Sequence, residues 1–108
     1  MKLLICIVQD HDASNLMQDF IEHDFRVTKL SSTGGFLKSG NTTMIMGVKE
    51  ERVEEALEVI KKNCNRRKHY APVISSQMEA IYQGNVPVEI EIGGATVFEL
   101  DVDKMYRL

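Results

Sequence analysis

Three things are scarce in this chain, and each scarcity closes off a class of function. Cysteine occurs only twice in 108 residues, at Cys6 and Cys64. That excludes a disulfide framework and offers no metal-ligand spacing. Cys6 lies in an apolar run and Cys64 at the end of a helical pattern, so both are expected as buried small hydrophobes. An excess of basic residues is also missing: 13 Lys and Arg stand against 16 Asp and Glu, for a formal net charge of −3. General nucleic-acid binding needs a broad basic face, so that class is set aside, while a local anion site stays compatible. Finally, no apolar stretch approaches the roughly 20 residues of a membrane span, and residues 3–8 are too short for a signal-peptide core. The expectation is one cytoplasmic domain with neither nucleic acid nor membrane as partner. At this length a chain buries about two-thirds of its unfolded surface, enough for a single core.

Catalytic constellations are equally thin. His11, His23 and His69 stand apart from one another and from the cysteines, with no His-x-x-x-His or Cys-x-x-Cys pair for a metal. The serines lack a Gly-x-Ser-x-Gly elbow. Gly34-Gly35 with Lys38 lacks the Gly-Lys-[Ser/Thr] ending of a phosphate-binding Walker loop, and a strand rather than a helix follows it. No catalytic residue, metal or cofactor is expected, and the chain reads as a binding protein rather than an enzyme.

The elements follow from periodicity. Residues 3–8, Leu-Leu-Ile-Cys-Ile-Val, form a continuous apolar run suited to a central strand covered on both faces. Asp10 or Asp12 offers a helix cap. Ala13, Leu16, Met17, Phe20 and Ile21 then fall at helical spacing over residues 13–23. Residues 25–32 return as a strand with Arg26, Thr28 and Leu30 on one face and Phe25, Val27 and Lys29 on the other. Residues 42–48 are the next strand. A symmetric hairpin about Leu37 sets Thr28 near Met46 and Gly47, making Gly47 a gap where a ligand approaches backbone, or else a simple bulge. Residues 49–64 are the clearest helix, with Val53, Ala56, Leu57, Ile60 and Cys64 on one face. Its acids lie first and its bases last, as the macrodipole favours. Residues 65–87 carry no pattern and read as a functional loop opening on a short basic cluster. Residues 88–92 and 95–100 flank Gly93-Gly94, which predicts a tight hairpin. Residues 105–108 form an apolar-tipped tail with nothing local to pack on. The order predicts an α+β, ferredoxin-like βαββαβ sheet with both helices on one face and an extra C-terminal strand. Its uncovered face calls for oligomerisation.

What remains is the hairpin from Arg26 to Gly47. Phe36 and Leu37 are apolar residues in a glycine-opened loop, among hydroxyls and the cations Arg26, Lys29 and Lys38. An aromatic ring stacks on a base for roughly 1–3 kcal/mol. Arg26 and Thr28 suit a phosphate, and the Asn41 amide can both donate to and accept from a purine edge. Taken singly, Arg26 is also compatible with a surface cation, Phe36 with a core plug and Asn41 with a turn former. Clustered in one hairpin, they point to a flat, negatively charged ligand such as a nucleotide.

Val8-Gln9-Asp10, Phe25-Arg26-Val27-Thr28-Lys29-Leu30, Thr33-Gly34-Gly35-Phe36-Leu37, Gly40-Asn41-Thr42-Thr43 and Gly93-Gly94-Ala95-Thr96-Val97-Phe98 closely resemble the cyclic-di-AMP receptors related to PII signal-transduction proteins. The resemblance implies a PII-like homotrimer that holds cyclic-di-AMP between neighbouring subunits and signals to a downstream protein through loop rearrangement. By the same resemblance, Arg26 and Thr28 meet the phosphate–ribose part, Gly35, Phe36 and Leu37 frame an adenine, Asn41 orients it, and Gly47 lets backbone approach. The C-terminal end of the adjacent subunit, here Tyr106-Arg107-Leu108, lies near the ligand in the family. Asp24, acidic and just ahead of Arg26, is left out of the ligand set. The long tyrosine-bearing loop and the glycine-rich ATP loop of PII proteins are absent. That argues against ATP and 2-oxoglutarate sensing. The alternatives are a PII-like sensor of another adenine nucleotide, an acylphosphatase-like hydrolase on the same scaffold, and a purely structural oligomerisation module. The hydrolase needs a phosphate cradle ahead of the first helix, where Gln9-Asp10-His11-Asp12 is acidic instead.

Overall fold

In a computed structural model, residues 1–30, 40–71 and 88–108 are described; the side chains of 69–71, 88 and 89 lie outside that description. The order is β1 (Lys2–Gln9), α1 (Asp10–Glu22), β2 (Thr28–Leu30), β3 (Asn41–Val48), a 3₁₀ turn (Glu50–Arg52), α2 (Val53–Cys64), β4 (Arg67–Ala71), β5 (Val88–Ile92) and β6 (Ala95–Asp101). One sheet has the order β2-β3-β1-β6, antiparallel at every pairing, and β4 and β5 form a separate two-stranded ribbon. Without the ribbon, this is a βαββαβ order with the first strand central, which fits the ferredoxin-like arrangement.

Alternation along β1 decides where the core sits. Leu4, Cys6 and Val8 are buried, and across the sheet they pair with Met46, Met44 and Thr42, so these six side chains share a face. Onto that face α1 brings Ala13, Leu16 and Phe20, and α2 brings Val53, Ala56 and Ile60, forming one buried cluster. Both cysteines lie in it unbonded, as expected. Burial pushes the Cys6 thiol up to about 12 and the Cys64 thiol up to about 11, so neither is a ready nucleophile.

The opposite face is apolar too, but the described residues do not cover it. Leu3, Ile5, Ile7 and Ile45 are half-buried there, while Phe98 and Leu100 are exposed. The expectation that β1 is central holds; among the described residues it is covered on one face and not on the other.

Five readings need correction. Helix α1 begins at Asp10, and neither Asp10 nor Asp12 caps it. Asp10 instead accepts from the Thr42 hydroxyl at 2.5 Å, and Asp12 from the Arg67 guanidinium at 2.7 Å. The patternless stretch contains β4, whose Arg-Lys-His-Tyr-Ala sequence has no apolar alternation to read.

Gly93-Gly94 does not join a hairpin either: β5 pairs with β4, and β6 pairs with β1. The glycines turn the chain from ribbon to main sheet. Gly93 donates to the Gln9 side chain at 2.8 Å, and Gly94 donates to the Cys64 carbonyl at the end of α2. A Cβ on Gly93 would stand 2.2 Å from the Asn65 carbonyl oxygen, at φ +90, so only glycine fits. The added strands therefore precede the last core strand, and none follows β6 among the described residues. Lastly, Thr28 pairs with Ile45, one residue away from the symmetric register.

Candidate functional site at the two ends of the third strand

The chain leaves α1 through a turn in which Asp24 takes a left-handed conformation, φ 60. Phe25 N–H donates to the Phe20 carbonyl at 2.9 Å, so the Phe25 ring is drawn inward against the Phe20 ring, edge to face at 5.6 Å. Arg26 is therefore thrown outward. Continuing the β2–β3 register two residues back sets Arg26 across from Gly47, and both line one surface cleft of about 250 Å³. Thr28 is exposed just beyond, on the open face of the sheet. The sequence placed the Gly47 gap beside Thr28; the register places it beside Arg26. The gap is open rather than crowded, since a Cβ there would meet only the Met1 sulfur, at 3.6 Å.

Asp24, Lys49 and Arg52 line the same cleft, and the sequence reading missed them as a group. A signal for Arg52 was present: it is the only cation among Glu50, Glu51, Glu54 and Glu55, at a helix start where a positive charge opposes the macrodipole.

Asn41 stands elsewhere. It opens β3, opposite Gln9, and is half-buried. It lines a second cleft of about 180 Å³ with Gln9, Arg66, Gly93 and Gly94. Next to it, Gly40 accepts from the Asp10 N–H at 2.8 Å, which pins the end of the 31–39 connection to α1. Arg67, from the basic cluster, is committed to Asp12, a residue only 4% exposed. Gly35, Phe36 and Leu37 lie outside the described residues, as does most of the 65–87 stretch. Within one chain, then, Arg26 and Gly47 share a cleft that Thr28 does not line, and Asn41 is at the far end of the strand.

The tail of residues 105–108 is exposed, Tyr106 at 72%. No group of three or more His, Cys, Asp or Glu side chains among the described residues is placed to hold a metal ion. No described helix is long and apolar enough to cross a membrane.

A solved protein of unknown function from Pediococcus pentosaceus is 46% identical to this chain. The match covers 99% of this chain and 96% of that one, at a TM-score of 0.76. The described family is more informative: residues 1–108, the whole length, match the cyclic-di-AMP receptors. That agrees with the Thr-Gly-Gly-Phe-Leu and Gly-Asn-Thr-Thr strings in the sequence. The chain belongs to the cyclic-di-AMP receptor family.

Proposed function

We propose that the protein is a non-catalytic, cytoplasmic signalling receptor, a PII-like homotrimer that binds cyclic-di-AMP between subunits without a metal or other cofactor. The observation that carries the placement is the separation along β3. Gly47 and Asn41 are six residues apart on one strand, about 20 Å at roughly 3.4 Å per residue. In one chain these two groups line different clefts, so a compact site holding both needs the two ends of the strand brought together. A closed ring of chains meets this requirement, because the Arg26 end of one subunit then faces the Asn41 end of the next. The open apolar face supplies surface for that assembly.

In the complex, Arg26 donates charge-assisted hydrogen bonds to a phosphate and Thr28 adds a hydroxyl. Gly47 lets a ribose or phosphate lie against backbone. From the neighbour, Asn41 reads an adenine edge while Gly35, Phe36 and Leu37 enclose the base. Ligand contact with the loop holding Phe36, and rearrangement of the 65–87 stretch, pass the signal to a downstream protein. The acylphosphatase-like alternative is not favoured: Asp10 and Asp12 occupy the place of its phosphate cradle and are held by Thr42 and Arg67.

Titration calorimetry tests this reading. Saturable heat with cyclic-di-AMP is expected, at one ligand per chain. Arg26→Ala should weaken binding by about 1.5–3 kcal/mol, roughly ten- to a hundredfold. No saturable heat with cyclic-di-AMP, but clear heat with ATP, would move the protein to another branch of adenine-nucleotide sensing.

A further inference from the structure

Resting on the reading that Arg26 meets the ligand, we infer that Arg52 is a positioning residue for binding: its guanidinium fixes the turn that aims Arg26. The guanidinium spends its donors on two sides. Nη2 donates to the His23 carbonyl at 2.7 Å, and Nη1 donates more loosely to the Asp24 carbonyl at 3.4 Å. On the other side, Nε and Nη2 grip the two carboxylate oxygens of Glu55 at 3.1 and 3.2 Å. Its central carbon lies 4.0 Å from the centre of the Phe25 ring. One side chain thus ties the 3₁₀ turn and the first turn of α2 to three consecutive residues, and the next residue is Arg26.

The turn needs such a tie. Asp24 sits at φ 60, a conformation that costs a non-glycine residue free energy and persists only where its surroundings hold it. The carbonyls of His23 and Asp24 lie past the last turn of α1, where carbonyl oxygens lack helical partners. Arg52 satisfies both and covers the ring that anchors the turn to the core. Its place at a helix start among acids, unfavourable for the macrodipole, is explained by this bracing. With four of its five N–H donors committed to protein groups, Arg52 acts on the ligand chiefly through Arg26. Lysine has no planar fork and cannot make both sets of bonds together.

The test is a double-substitution cycle read by calorimetry with cyclic-di-AMP, on folded protein well below its thermal transition. Arg52→Ala should weaken binding by at least about fivefold, and Arg52→Lys by less. In an Arg26→Lys background, which keeps the charge and a measurable affinity, Arg52→Ala should add little, because the aimed fork is already gone. Full additivity of the two losses would mean that Arg52 acts independently of Arg26. Wild-type affinity in both Arg52 variants, even with a lowered Tm, would leave it a purely structural residue. Either result overturns the inference. If Arg52→Ala does not fold, the Arg52→Lys arm of the same cycle decides between these outcomes. Arg26→Ala separates the two layers: wild-type affinity there sinks the reading of Arg26 itself, whereas a loss there with none at Arg52 sinks only the positioning role.

Discussion

The two faces of the main sheet are built from the same kinds of side chain and end in different states. On one face Leu4, Cys6, Val8, Met44 and Met46 are at most 3% exposed beneath two helices. On the other, Ile5, Ile7 and Ile45 are half-buried and Phe98 is 53% exposed. A face that is apolar by sequence but left uncovered by the described residues is the surface on which the proposed assembly rests. The covered face explains why the chain folds; on the proposed reading, the open one lets the two ends of β3, from different chains, serve one site.

Substitutions on the two faces should therefore fail differently. The largest effect is expected from Phe98→Asp on the open face. Burying an ionised carboxylate between subunits costs several kcal/mol, so light scattering should find monomers and calorimetry no cyclic-di-AMP binding, with the helical circular dichroism kept. On the covered face, Phe20→Ala should cost about 3–5 kcal/mol in denaturant titration through the lost contacts and the cavity left behind. Loss of folding rather than clean dissociation is the expected outcome there.

A smaller effect separates the cleft from both faces. Gly47→Ala has room for its methyl and removes a glycine from a strand, so stability should hold or rise by about 0.5–1 kcal/mol. Affinity should nonetheless fall severalfold, because the gap facing Arg26 is filled. Unchanged affinity would make Gly47 a mere tolerance.

The smallest effect concerns the clasp between the helices. Asp19 accepts from the Asn63 amide at 2.8 Å, with Lys62 and His23 nearby, and these hold its carboxyl below the usual range. A carboxyl with a depressed folded-state pKa contributes stability that is fully present above about pH 4, its unfolded value, and lost as pH falls below that. Urea titrations should show wild type losing part of its advantage over Asp19→Asn on acidification from pH 6 to pH 3.

Much of this was legible in the sequence because it is local. The β1 run, the β3 strand and the apolar stripe of α2 each carry their own period, and the Arg26–Thr28–Leu30 face alternates as the strand rule requires. What escaped depends on distant partners. Asp10 and Asp12 look like caps until Thr42 and Arg67 are seen to hold them. Gly93-Gly94 looks like a hairpin because two apolar runs flank it, although each run pairs with an earlier strand. The one-residue error in the β2–β3 register came from assuming a symmetric loop. A slip of one shifts every partner by a residue, which set Gly47 across from Val27 and beside Thr28 instead of across from Arg26. That Asn41 and Gly47 line different clefts was hidden for a similar reason. Residues close in sequence were taken as close in space, but an extended strand keeps Asn41 and Gly47 apart.

That split is most directly tested by mixing two crippled proteins. Arg26→Ala and Asn41→Ala, each weak in cyclic-di-AMP binding alone, should be unfolded together, refolded and titrated. If each site takes Arg26 from one chain and Asn41 from the next, about one site in four in a randomly mixed ring has both intact, and wild-type affinity returns at that fraction. If both residues serve a site within a single chain, no mixture recovers any tight binding, and the account is contradicted.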